Sequence, residues 1–257
     1  MGGLLRSEWT KLRTVRSTMW TLGMVVLIGL AASAIVMADV RVHWAVMSAA
    51  SKATFQPVEV SLVGAYLGGT LLLGILGILV VSSEYATGTI RATFAAAPRR
   101  PMVLAAKVLV FGAVALVVAE IVAFASFFLG QALLTSPATH ATLSSPGALR
   151  AVAGTGLYLC VVSIFALGIA VLIRHTAGAI GAYVGVMLVL PVVVSAFPNS
   201  LQHQVQRFLP LDIGSVMINI NNPYPGGFSP WVGLLLLCGY TVLILAVGTV
   251  LLVRRDA

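Results

Sequence analysis

Apolar positions in this chain form long unbroken runs, and polar residues are confined to the short breaks between them. Six runs stand out, over residues 19–38, 61–81, 105–134, 151–173, 177–197 and 231–253. At 1.5 Å rise per residue, a run of roughly 20 crosses a hydrocarbon layer about 30 Å thick. Lipid offers backbone amides no partner, so each run is predicted as a helix that satisfies its own hydrogen bonds. The runs are too long and too uniform for the alternating strands of a membrane barrel. The expected class is all-α, with one transmembrane domain over residues 1–257.

Weaker patterns lie between the runs. Within residues 1–16, Leu5, Trp9 and Leu12 recur at helical spacing among Arg6, Lys11, Arg13 and Arg16. A helix of that kind lies in the headgroup plane with its tryptophan at the interface. Trp9, Lys11 and Arg13 therefore mark an interfacial elbow leading into the first span. Asp39 to Glu59 reads as a mixed loop, and Thr135 to Gly147 as a plain connector. Leu201, Val205 and Phe208/Leu209 predict a short surface helix, broken by Pro210, Asp212 and Gly214. Asn219 to Gly227 is rich in turn formers. The pairs Gly64/Gly68 and Gly181/Gly185 predict close helix packing, within the protomer ahead of a dimer seam. Pro191 predicts a kink in the fifth span.

Composition agrees. Charged residues make up 9% of the 257 positions, against about 25% in soluble domains. The formal net charge of +8 raises nucleic acid as a partner, but the placement of the cations argues for topology instead. Eleven basic residues fall on one side of the six runs: Arg6, Lys11, Arg13, Arg16, Arg91, Arg99, Arg100, Lys107, Arg174, Arg254 and Arg255. The other side holds Arg41, Lys52, Arg150 and Arg207. The richer side is expected to be cytoplasmic, with both termini. The first run exceeds the apolar core of a signal peptide, so it is expected to remain as a span.

Candidate chemistry is sparse. No Gly-x-x-x-x-Gly-Lys-Ser/Thr, His-Glu-x-x-His or Gly-x-Ser-x-Gly occurs, so nucleotide cradling, zincin chemistry and a serine elbow have no residues to carry them. The four histidines lie apart near the ends of runs, and Cys160 and Cys238 read as packing. Glu120 is the carboxylate well inside a span, where an unpaired charge costs about 2.5–3.5 kcal/mol. It must face the bundle or a wet cavity, or be protonated; contact with cargo or with a partner permease is the functional reading, and a packed, hydrogen-bonded or protonated side chain the plain one. An ion- or proton-coupled secondary transporter working through Glu120 is therefore the competing reading, although no internal repeat accompanies it.

The segment Ser83 to Pro101, between the second and third runs, carries the strongest local signal. Ile90, Phe94 and Ala97 recur at helical spacing up to Pro98, with Glu84 and several arginines around them. A short helix of this kind fits a groove on a cytoplasmic partner. Glu84-Tyr85-x-x-Gly88-Thr89-Ile90-Arg91, followed by Pro98-Arg99, resembles the signature loop of permease subunits of bacterial type-2 ABC transporters. Glu8-Trp9-Thr10-Lys11-Leu12-Arg13 is similar to the start of many members. The resemblance implies a cytoplasmic coupling helix seated on separate ABC ATPase subunits, comprising Glu84, Tyr85, Gly88, Thr89, Ile90, Arg91 and Phe94. It also implies short extracellular helices before the sixth span and a second permease, either another copy or an unlike subunit. This chain would be non-catalytic and hold no cofactor, with ATP and Mg bound by the ATPase. The implied activity is ATP-driven export of a lipid-like, peptide or drug-like substrate across a bacterial plasma membrane.

Overall fold

The computed structural model describes residues 2–14, 16–90, 93, 100–134, 140–220 and 227–255. Among them the regular structure is helical and no strand occurs. Helix α1 (Gly2–Thr14) precedes α2 (Arg16–His43), a short turn of 3-10 helix (Trp44–Val46) and α3 (Ala49–Ala53). Next come α4 (Pro57–Ala86), α5 (Arg100–Leu133) and α6 (Ala148–Ile173). The fifth apolar run becomes α7 (Thr176–Val184), a π-helical turn (Gly185–Val189) and α8 (Leu190–Ser195). Two short helices, α9 (Asn199–Gln206) and α10 (Pro210–Ile218), lead to α11 (Pro230–Arg255).

Among the described residues, six helical stretches are long and apolar enough to cross a membrane: Met19–Val46, Pro57–Ala86, Arg100–Leu133, Ala148–Ile173, Thr176–Ser195 and Pro230–Arg254. Most extend past the apolar runs, because a helix does not stop where lipid stops. Pro57 and Pro230 each open a helix at its first turn, where a missing N–H costs nothing. Much of the expected loop from Asp39 to Glu59 is therefore helical. Trp44 and Phe55 stack edge to face at 5.0 Å across what remains, with Lys52 Nζ 6.0 Å from the Trp44 ring.

Helices α4 and α6 form the buried centre, and the other spans surround them with one face outward. Without a hydrophobic drive between helices in lipid, close backbone approach supplies the packing. Gly64 of α4 lies directly on the α2 backbone at Ala32 and Ser33, and Ala65 N–H donates to Ser33 Oγ at 3.0 Å. Gly77 lies on the Ser163 carbonyl of α6. Tyr183 Oη of α7 donates to Thr70 O of α4 at 2.5 Å. In contrast, among the described residues nothing lies within 4 Å of a side chain placed at Gly181 or Gly185, so none of them packs on that pair as expected. The π turn precedes Pro191. Proline has no N–H to offer the carbonyl one turn back, and the widened turn, with Leu190 N–H bonded to Gly185 O, accommodates its ring.

The tract before the last span needs correcting. Helix α9 is exposed, with an apolar stripe of Leu201 and Val205, as the periodicity predicts. Pro210 does not end it; it opens a second helix instead. That helix, α10, buries Ile213, Val216, Met217 and Ile218 against α4, α6 and α11. Tyr66 Oη donates to Leu211 O, and Gly214 lies against the rings of Tyr66 and Tyr158. Arg150 of α6 donates to Asn219 O at 2.8 Å and Met217 O at 3.4 Å, meeting the carbonyls that end α10. Replacing Arg150 with alanine is expected to loosen α10 while leaving α4 and α6 packed. Faster hydrogen exchange confined to residues 210–220 would show it. The expected turns over 221–226 and the connector residues 135–139 lie outside the described residues.

Candidate functional site

The end of the bundle that carries α1 and the α4–α5 connector also carries the only dense charge cluster among the described residues. Three helices build it. Helix α1 supplies Glu8 and Lys11, which share a face because residues three apart are neighbours on a helix. Glu84 sits in the last turn of α4, and Lys107 two turns into α5. Lys107 Nζ donates to Glu8 Oε2 at 2.7 Å and to Glu84 Oε1 at 2.8 Å. Lys11 Nζ donates to Glu8 Oε1 at 2.6 Å and to Glu84 Oε1 at 2.9 Å. It also reaches Thr93 Oγ1 of the connector at 3.5 Å. Two carboxylates and two ammoniums thus alternate, so the cluster is neutral as a whole.

Burial makes this arrangement matter. Glu8 and Lys107 are each 4% exposed. Removing such ions from water costs several kcal/mol each, and short charge-assisted bonds from more than one side offset that cost. Burial alone would push the Glu8 carboxyl up. The adjacent Lys107 and Lys11 outweigh it and hold Glu8 below its ordinary 4.5. Burial would likewise push Lys11 down, but its hydrogen bonds to Glu8 and Glu84 outweigh it and hold Lys11 above 10.5. Glu8 therefore contributes stability above pH 4.5 that is lost as pH falls through its depressed value. Lys11 contributes stability below pH 10.5 that is lost as pH rises through its elevated value. A spin-label pair spanning α1 and α4 is expected to keep one distance between pH 4.5 and 10.5 and to broaden only as the pH falls below the first or rises above the second.

Two further links meet the helix ends on either side of the connector. Arg174, at the end of α6 with φ 58°, stands 5.3 Å over the Tyr85 ring, within cation–π range. Arg100, opening α5, donates to Leu252 O at 3.1 Å. It thereby satisfies a carbonyl in the last turns of α11. The helix ends that flank the connector are in this way tied to α1, to the α6–α7 turn and to the end of α11.

Gly88 shapes the exit from α4. Its φ of +72° is left-handed, its N–H donates to Tyr85 O at 3.3 Å, and among the described residues nothing lies within 4 Å of where a side chain would stand. A glycine here ends the helix as a C-terminal cap. Thr89 and Ile90 begin a new helical turn, and Thr89 Oγ1 lies 2.9 Å from Thr87 Oγ1. Arg91 and Phe94 lie outside the described residues. Trp9 and Arg13 are exposed on α1, whereas Lys11 is committed to the cluster. Glu84 faces inward and meets Lys11 and Lys107, so its charge is used within the protomer.

Glu8 and Lys107 were not singled out by the sequence pattern. Lys107 did leave a signal: a cation two turns inside a span needs an anion nearby. Glu120 stands apart, 13 residues further along α5, with its carboxyl against Gly156 of α6 and Oε2 without a hydrogen-bond partner among the described residues.

No curated protein matches the chain. Residues 12–257 match the family of ABC-2 family transporter proteins. The bundle of apolar helices described above and this match over nearly the whole sequence place the chain in that family, as a multi-pass membrane permease of an ABC transporter.

Proposed function

We propose that the protein is the permease subunit of an ATP-driven exporter in a bacterial plasma membrane, with both termini in the cytoplasm. Separate ABC ATPase subunits dock on the stretch around Gly88, through Thr89, Ile90, Arg91 and Phe94, while Glu84 and Tyr85 root that stretch in the bundle. A second permease, identical or unlike, completes the pathway. The cargo class is lipid-like, peptide or drug-like. The observation that carries this reading is the buried cluster of Glu8, Lys11, Glu84 and Lys107. It joins α1, α4 and α5 at the root of the connector. A push on the connector is therefore delivered to three helices at once, and ATP drives transport only by favouring one of two permease conformations. Co-purification with a soluble P-loop ATPase is the test. Gly88→Pro, which cannot adopt the left-handed backbone, and Arg91→Glu are expected to abolish binding while the permease stays folded. Full retention in both variants removes the docking assignment.

Glu120 supports the competing reading of cation coupling, since its Oε2, inside a span, has no hydrogen-bond partner among the described residues. Substrate uptake by the isolated permease in proteoliposomes without ATP, lost in Glu120→Gln, would select that reading over the first.

A further inference from the structure

A cavity of about 490 Å3 opens beneath α1, between α2, the final turns of α4 and the start of α5. Its inner wall is apolar, formed by Leu12, Leu76, Leu79 and Val80. Its mouth is polar, with Ser83, Thr87 and Thr89 beside Lys11. From Leu76 to Thr87 the wall runs about 16 Å along α4. The headgroup layer on one side of a bilayer is only about 5–8 Å deep. The cavity therefore begins among headgroups and ends among acyl chains. A water-soluble ligand would leave the inner wall unused, and a purely apolar one would bury the mouth without compensation.

The sign of the head group follows from the charges. The carboxylates in the lining, Glu8 and Glu84, are buried behind the mouth, each already bonded to both Lys11 and Lys107. Lys11 is the member of the cluster that reaches solvent, with 36% of its side chain exposed. It also lines a second, shallower depression of about 440 Å3 on the outer face of α1. Arg6, Ser7 and Thr10 line that depression with it, and no acidic residue does. Arg6 is exposed, and the hydroxyls of Ser7 and Thr10 are within the same lining. Lys11, which lines both hollows, and Arg6, which lines the outer one with it, complement an anionic phosphate ester, and the apolar wall complements its hydrocarbon chain.

We infer that this cavity is a binding site for one phospholipid of the leaflet on the side of the termini, its phosphate at Lys11 and Arg6 and an acyl chain along Leu76, Leu79 and Val80. A lipid held there would wedge α1 against α4 and share Lys11 with the buried cluster.

The test is photo-crosslinking in vesicles. The full chain is reconstituted with phosphatidylglycerol carrying a diazirine on its acyl chain, and the labelled peptides are mapped. Labelling over residues 76–83 is expected to exceed, by at least fivefold per residue, that of the lipid-facing surface of α11 around Leu235 and Val242. Leu79→Trp, which fills the slot, and Arg6→Glu, which reverses an exposed charge outside the ion cluster, are each expected to cut the 76–83 signal at least threefold and to leave α11 unchanged. The Arg6 variant keeps the test decisive if the tryptophan disturbs folding. Equal labelling of the two regions, or a 76–83 signal indifferent to Arg6→Glu, would overturn the inference. So would full displacement by millimolar glycerol phosphate, which carries the head group alone and would identify a site for free phosphate esters.

Discussion

Lys107→Met is expected to be the most damaging single substitution at the termini-bearing end. The change removes one ammonium from between two buried carboxylates and leaves Glu8 and Glu84 with Lys11 alone. Breaking a buried pair from one side costs about 3–5 kcal/mol, because the orphaned charge remains buried. Lys11→Met is expected to cost less, since Lys11 reaches water and Lys107 still bridges both acids. The informative variant is the double replacement Glu8→Gln with Lys107→Met. It removes one charge of each sign and keeps the cluster neutral, so it should recover much of the loss. Thermal unfolding in detergent orders the variants: wild type, then the double variant, then Lys107→Met. Arg13→Ala, on the exposed face of α1, should match wild type. If the double variant is no better than Lys107→Met, the charges are not coupled and the cluster does not bind α1 to the bundle.

This cluster also marks the limit of what the residue pattern reveals. Runs of apolar residues identify spans because every position in a run makes the same demand on its solvent, and the demand can be read one residue at a time. Ion pairing between Glu8 and Lys107 depends on which helices are neighbours, and the two residues are 99 positions apart. No periodicity connects them. Lys107 could be recognised as a cation in need of an anion, but not which anion it meets. Pro210 shows a different limit. Proline is equally suited to ending one helix and opening the next, and only the packing of Ile213, Met217 and Ile218 against the bundle decides between them. Asp39 to His43 reads as loop because it is polar, yet it continues α2 because leaving the lipid does not by itself break a helix. At Gly88 the left-handed backbone favours a residue without a side chain, so a break in the helix at that glycine is readable from residue type alone.

The glycine pairs carry the second large prediction, because sequence spacing treats them alike and the structure does not. Gly64→Leu is expected to prevent α2 from packing on α4. A side chain at Gly64 would intrude on the α2 backbone at Ala32 and Ser33, which cannot rotate aside as a side chain would. Overpacking usually costs about 1–3 kcal/mol and occasionally more, and rigid backbone places this site at or above the top of that range. The same shift would break the bond from Ala65 N–H to Ser33 Oγ. Gly68, one turn away, has its nearest neighbour at 3.9 Å, the Gly29 Cα, so Gly68→Ala makes an ordinary contact. It should be neutral or gain up to about 0.5–1 kcal/mol from reduced backbone freedom. Gly181→Ala and Gly185→Ala meet open space within the protomer and should behave like Gly68→Ala in a thermal melt. Cross-linking of the intact transporter then separates two roles for that face. If Gly181→Ala and Gly185→Ala leave protomer stability intact but lower the dimer fraction, the small-residue stripe on α7 packs against the second permease. If neither stability nor assembly changes, that stripe faces lipid, and the contact with the second permease must be made by another surface.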